Sequence, residues 1–212
     1  MKIIFDNIVF SLQKAGGISV FWYEIISKLI LDEEFDAYFI EYKNNRQNIF
    51  ARELNINNSK IFQKTDLLLS VKRYLNICVK MNKKFIFHSS YYRTNFNRKA
   101  INVTTVHDFT YEKYSKGIKR WLHCKQKYHA INKSDIIVCI SENTKNDLLT
   151  YLPKTNINKI RVIYNGVSDD YFRLTENELN NTSNSFSYVL YIGSRESYKR
   201  FDLAVKALIN MI

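Results

Sequence analysis

The sequence contains no apolar run near the ~18 residues that cross a bilayer, and its amino end passes straight into MKIIF without a signal-peptide pattern. Three cysteines are present, Cys78, Cys124 and Cys139, an odd number with no short pairing and no zinc or redox spacing. Such thiols suit a reducing cytoplasm, and Cys139 reads as a small core residue. No cluster of metal-ligand residues is visible, so no metal is expected. There is one proline, Pro153, and only five glycines. Gly16-Gly17 lies between a strand pattern and a helix pattern, but no third glycine follows at the dinucleotide spacing, which excludes that fingerprint. Acidic residues are absent from 67–107, where Lys72, Arg73, Lys80, Lys83, Lys84, Arg93, Arg98 and Lys99 all fall.

The formal net charge of +12 follows from 32 Lys and Arg against 20 Asp and Glu. A face so basic points to phosphate-bearing partners, whether nucleic acid, anionic lipid or a phosphorylated substrate; a solvated lysine-rich surface has the same composition. No recognised nucleic-acid-binding module accompanies the charge, and the aromatics fall in predicted strands and helix cores, so nucleic acid is not expected. A hydrophobic content of 46% with 15% aromatic residues is ample for a packed core.

The most informative stretch is 134–172. Residues 135–140 form a short Ile- and Val-rich run, the pattern of a strand buried on both faces of a parallel sheet. Ser141 follows in a position to cap a helix, with Glu142 in the first turn where the helix dipole favours negative charge. Leu148, Leu149 and Leu152 give that helix an apolar side, and Pro153 stops it. A second strand over 160–164 ends at Asn165-Gly166. In an open α/β sheet, ligands bind at the carboxyl edge where Ser141 and Gly166 are expected.

Earlier in the chain, 2–5 reads as a strand, 6–15 as an irregular loop, 18–31 as a helix and 36–42 as a strand. Two glycines before a helix let a ligand approach the backbone, and the helix amino end favours an anion; a simple tight turn would look the same. Residues 44–66 are polar and carry no clear pattern. Leu68, Val71, Leu75 and Cys78 predict a helix over 67–81, basic on its other side, as on an anionic membrane surface or on any solvated helix face. Strands over 85–87 and 101–106 each finish at a histidine, His88 and His107, on the same edge. A basic helix covers 118–133. Residues 173–187 read as a linker between a domain over 1–172 and a restarted strand–loop–helix unit over 188–212.

The segments Gly-Gly-Ile-Ser at 16–19, HSSYYR at 88–93, VHDFTYE at 106–112, ISENTKNDLL at 140–149, VIYNGV at 162–167 and GSRESYKRF at 193–201 come in the order seen in retaining glycosyltransferases of the GT-B fold, family four. The chain resembles the bacterial group that builds capsule, O-antigen and related polysaccharides. The resemblance implies an α/β fold, a Rossmann-like parallel sheet with helices on both faces, as the acceptor-side half, with a truncated donor-binding half after the linker. It implies a nucleotide-sugar donor as substrate, a glycan or lipid-linked acceptor, no cofactor, and a cytoplasmic protein that can sit peripherally at an anionic membrane. By similarity, His107 with Asp108 is expected at the catalytic centre. Gly16, Gly17, Gly193, Arg195 and Lys199 are expected around the donor phosphates, and His88, Ser141, Glu142, Asn165 and Gly166 along the cleft. Front-face attack, the mechanism ascribed to the family, needs no protein nucleophile.

Two departures stand out. Val20 occupies a position where relatives often carry arginine. The sequence also stops before the acidic motif that holds the sugar and ribose in the family, which reads as a fragment, a truncated product or one half of a split enzyme. A non-catalytic subunit partnering a separate glycosyltransferase chain is the alternative expectation.

Overall fold

The computed structural model describes residues 1–43, 47–65, 67–168, 171–175, 189–193, 195 and 199–210. It contains two compact units, Met1–Asn165 and Gly166–Ile212.

The first unit is built on a seven-stranded sheet of order β3-β2-β1-β4-β5-β6-β7. The strands are β1 (Ile3–Asp6), β2 (Ala37–Tyr42), β3 (Ile61–Lys64), β4 (Phe85–Ser89), β5 (Ala100–Val106), β6 (Ile136–Cys139) and β7 (Ile160–Val162). All neighbours pair in parallel. This is the Rossmann-like α/β fold expected from the strand runs. The chain order reverses between β1 and β4, and that point defines a crevice beyond their carboxyl ends.

Helices cover both faces, as right-handed crossovers require. Helix α1 is a single turn (Val9–Leu12), and α2 (Gly17–Leu29) and α3 (Ile49–Glu53) follow. Trp22 and Ile26 of α2 pack on Phe5 and Phe39, with Phe50 of α3 at the margin. The opposite face carries Ile4, Ile40, Tyr42, Phe85 and Phe87. It continues into Val106, Ile137 and Ile160, covered by Ile131 of α6 (Gly117–Lys133) and Leu148 of α7 (Glu142–Tyr151). Each fully buried Phe or Ile of this kind contributes roughly 1.5–3 kcal/mol. Gly117 opens α6 at φ +71, a left-handed conformation strained for any side chain with a Cβ.

Several sequence expectations need correction. The helix over 67–81 is a single turn, α4 (Leu69–Lys72), preceded by Leu68 at φ 57. Beyond it the backbone is bound to the loop after β4. Ile77 N donates to Thr94 O at 2.9 Å, Arg93 Nε to Leu75 O at 2.9 Å, and the Asn97 amide to Val79 O at 2.8 Å. These tertiary bonds override the local helical spacing, and they remove the long basic helix on which a membrane-surface role would rest. The 6–15 loop contains α1. The 44–66 stretch contains α3 and β3, whose edge position leaves Phe62, Gln63 and Lys64 exposed and therefore without an apolar run. The short helix α5 (Thr110–Tyr114) was also unanticipated.

In the second unit, the described residues hold one helix, Phe201–Ile209. Residues 189–193 form no strand, and Ile192 is 85% exposed. Most of the 173–187 segment, and Tyr188 at the head of the expected strand, lie outside the described residues.

Candidate active site

His107 directly follows β5. Its carbonyl oxygen accepts from Thr144 Oγ1 at 3.3 Å, which ties it to the first turn of α7. Its ring meets Phe21 of α2 edge-on, with centroids 5.0 Å apart. The histidine thus stands half-buried between the amino-terminal turns of two helices, beyond the carboxyl edge of the sheet. Burial holds its imidazole below the usual value, against the opposing pull of Asp108. His107 is therefore a neutral ring at pH 7, able to donate from one nitrogen and accept at the other.

Ser141 caps α7 as the sequence indicated, accepting from Thr144 N at 3.1 Å. Glu142 lies in the first turn and pairs with Lys145 at 3.1 Å. Gly16 and Gly17 lead into α2, where Ser19 Oγ donates to Gly16 O at 2.8 Å. A Cβ on Gly17 would meet nothing within 4 Å, so Gly17 borders open space. The first amide groups of α2 have no intrahelical acceptor, which makes this end receptive to an anion.

Asp108 is exposed, and its Oδ1 accepts from Thr110 N at 2.9 Å, shaping the turn into α5. Below it lies a feature that sequence reading missed. Lys127 of α6 is fully buried and donates to Glu112 Oε2 at 2.8 Å and to Asp108 O at 2.9 Å. The ion pair clamps the segment that carries His107. Spacing gave no sign of it, because lysine on a basic helix reads as surface.

His88 lies within β4 and not beyond its end; Ser89 is the last strand residue. Its Nε2 lies 2.9 Å from Thr105 Oγ1, and its ring meets Trp22 edge-on at 4.9 Å. Burial first, then the neighbouring His107, pushes it down to about 4. An unfolded histidine titrates near 6.5, so between these values the unfolded chain binds more protons. Stability is therefore full above the unfolded value and falls as pH drops toward the folded one. At 1.36 kcal/mol per pH unit, His88 should account for about 3 kcal/mol of acid destabilisation. His88→Gln, which keeps a partner for Thr105, should remove that part of the loss when urea unfolding is compared at pH 7 and near pH 4.5. An unchanged slope would show that His88 does not drive it.

A second buried network closes the same edge. Asp6 at the end of β1 pairs with Arg93 at 3.1 Å and accepts from Ser89 Oγ at 2.8 Å and Tyr42 OH at 3.2 Å. On the α2 side, Asn7 accepts from Trp22 Nε1 at 2.8 Å and donates to Glu41 at 2.8 Å.

Asn165 closes the first compact unit and Gly166 opens the second, and both are exposed. Within the second unit, Gly193 has φ +143, and a Cβ there would come within 3.5 Å of Lys199 Nζ. The Arg195 guanidinium lies 4.9 Å above the Phe201 ring. Gly193, Arg195 and Lys199 are thus gathered at the start of one helix. Among the described residues, no group of His, Cys, Asp and Glu is arranged to hold a metal ion, and no helix is long and apolar enough to cross a membrane.

No curated protein matches the chain. Residues 63–171, just over half of the sequence and carrying β4 to β7 with His88, His107 and Ser141, match the model of Glycosyltransferase Family 4. With the parallel sheet and its edge histidine in place, the chain belongs to Glycosyltransferase Family 4.

Proposed function

We propose that this protein transfers a sugar from a nucleotide-sugar donor to a glycan or lipid-linked acceptor, with retention of anomeric configuration. The observation that carries the reading is the setting of His107, a neutral, half-buried imidazole between the amino ends of α2 and α7 at the carboxyl edge. Such a ring can bond a sugar hydroxyl without adding charge beside the reacting centre.

In the proposed reaction an acceptor hydroxyl attacks the anomeric carbon as the bond to the donor diphosphate breaks. The leaving diphosphate takes the acceptor proton on the same face, which preserves configuration. Negative charge grows on that diphosphate. The amino end of α2 at Gly16-Gly17 is the group of the first compact unit that would stabilise it. Polysaccharide or lipid-linked oligosaccharide assembly is the biological setting this chemistry fits.

The test is initial-rate transfer from a panel of nucleotide sugars by the protein as expressed from its own gene, with the product's anomeric configuration read by NMR. His107→Ala should lower kcat on the order of 100-fold, the usual cost of losing one preorganised hydrogen-bonding group, with its unfolding midpoint nearly unchanged. Full turnover in that variant would remove His107 from the centre, and an inverted product would end the retention proposal.

A further inference from the structure

Outside the His107 region, the carboxyl edge carries a cavity of about 230 Å³ between the ends of β2 and β3 and the segment after α4. At about 30 Å³ per water in the liquid, it has room for roughly seven waters, enough for a diphosphate. Tyr42, Lys64, Thr65, Lys72 and Arg93 line it, and no acidic side chain does so among the described residues.

Among the described residues, Lys64 and Lys72 have no acidic partner. Lys72 Nζ donates only to uncharged oxygens of Thr65, Oγ1 at 2.8 Å and the carbonyl at 3.3 Å. Arg93 spends Nε on Leu75 O and Nη1 on Tyr42 and Asp6, and its Nη2 makes no hydrogen bond among the described residues. Two ammonium groups ask for more than one negative charge, and Arg93, its own charge met by Asp6, can still donate from Nη2. A single carboxylate would leave cations unpaired, whereas a phosphate or diphosphate offers several oxygens at once.

We infer that this pocket binds the phosphate or diphosphate group of the acceptor, which would be a sugar or lipid carried on a phosphate ester. The word acceptor rests on the transfer reading above; the anion site itself does not. Cys78 also borders the pocket and is exposed, while Cys124 and Cys139 are buried. Its alkylation therefore reports occupancy directly.

The experiment follows Cys78 alkylation by iodoacetamide, read by intact mass, with inorganic pyrophosphate, a sugar-linked alkyl diphosphate or a nucleoside diphosphate added. Pyrophosphate and the alkyl diphosphate should slow alkylation. Lys64→Gln combined with Lys72→Gln should raise the half-protecting concentration at least about tenfold, the factor for 1.4 kcal/mol, without moving the thermal midpoint. Lys72→Arg should stay within about threefold, because its cation is kept. Absence of protection, or protection that survives the double substitution, overturns the site. Equal protection by the nucleoside diphosphate through the same lysines would make the pocket a donor site and overturn the acceptor assignment. If protection behaves as expected but no sugar is transferred, the anion site stands and the transferase reading falls.

Discussion

Lys127→Met should lower the unfolding free energy by about 3–5 kcal/mol, the cost of leaving one member of a buried ion pair alone. Both side chains of the Lys127–Glu112 pair are 0% exposed. Without Lys127 the buried Glu112 carboxylate would keep only the weak thiol donor of Cys124 to offset its desolvation. Lys127 Nζ also lies 4.5 Å from the Phe109 ring centroid, a second favourable contact that methionine would lose in part. The loss should appear in urea unfolding as a lower midpoint with an unchanged slope. Adding Glu112→Gln to Lys127→Met should recover part of it, because the buried charge is then gone. A loss below about 1 kcal/mol in the single variant would mean that water reaches Glu112 and that the pair is not sealed, as exposed pairs behave.

Arg93→Met should cost a similar amount, about 3–5 kcal/mol, for the same reason at the opposite end of the edge. Asp6 is fully buried and would keep only the hydroxyls of Ser89 and Tyr42. Tyr42 stays protonated and keeps donating to Asp6, since burial and then Asp6 hold its phenol above the usual range. The carbonyl of Leu75 would also lose its donor, freeing the segment that walls the anion pocket. Arg93→Lys should fall between the two, because one ammonium on a flexible stem does not match the fixed fork that serves Leu75, Tyr42 and Asp6 together. Asp6→Asn in the Arg93→Met background should restore part of the stability. Equal stability of Arg93→Met and the unsubstituted protein, by calorimetry at neutral pH, would show that Asp6 is satisfied by its hydroxyl partners alone.

The strands that run through the sheet centre were legible because a parallel strand covered on both faces must be apolar along its length, as in Ile136–Cys139 and Phe85–Ser89. The edge strand Ile61–Lys64 escaped that test, since only its first residue is even half-buried. The limits of α7 were equally legible. Ser141 supplies the cap and Pro153 cannot continue a helix, and both effects act within one turn of chain.

The candidate site divides along the same line. That His107, Ser141 and Gly17 come to one edge follows from their places at strand ends and helix starts, because every parallel strand delivers its carboxyl end to the same side. Which of their neighbours carry charge indoors does not follow from position in sequence. Lys127 resembles every other lysine of a basic helix until Glu112 is brought beneath it, and Arg93 is one of eight basic residues in a stretch without acids until β1 sets Asp6 against it.

Residues 67–81 show the contrast within a single segment. Their apolar spacing favours a helix, and α4 forms for one turn, but the side chains of Arg93 and Asn97 then take the backbone oxygens of Leu75, Val79 and Met81. Short-range stereochemistry and hydrophobic spacing are properties of neighbouring residues, so the type of most elements and the parallel course of the strands could be read from the amino-acid order. Ion pairs, the cation-lined cavity and the fate of that helix depend on which distant segments the sheet order and register bring together, and only the folded chain decides that.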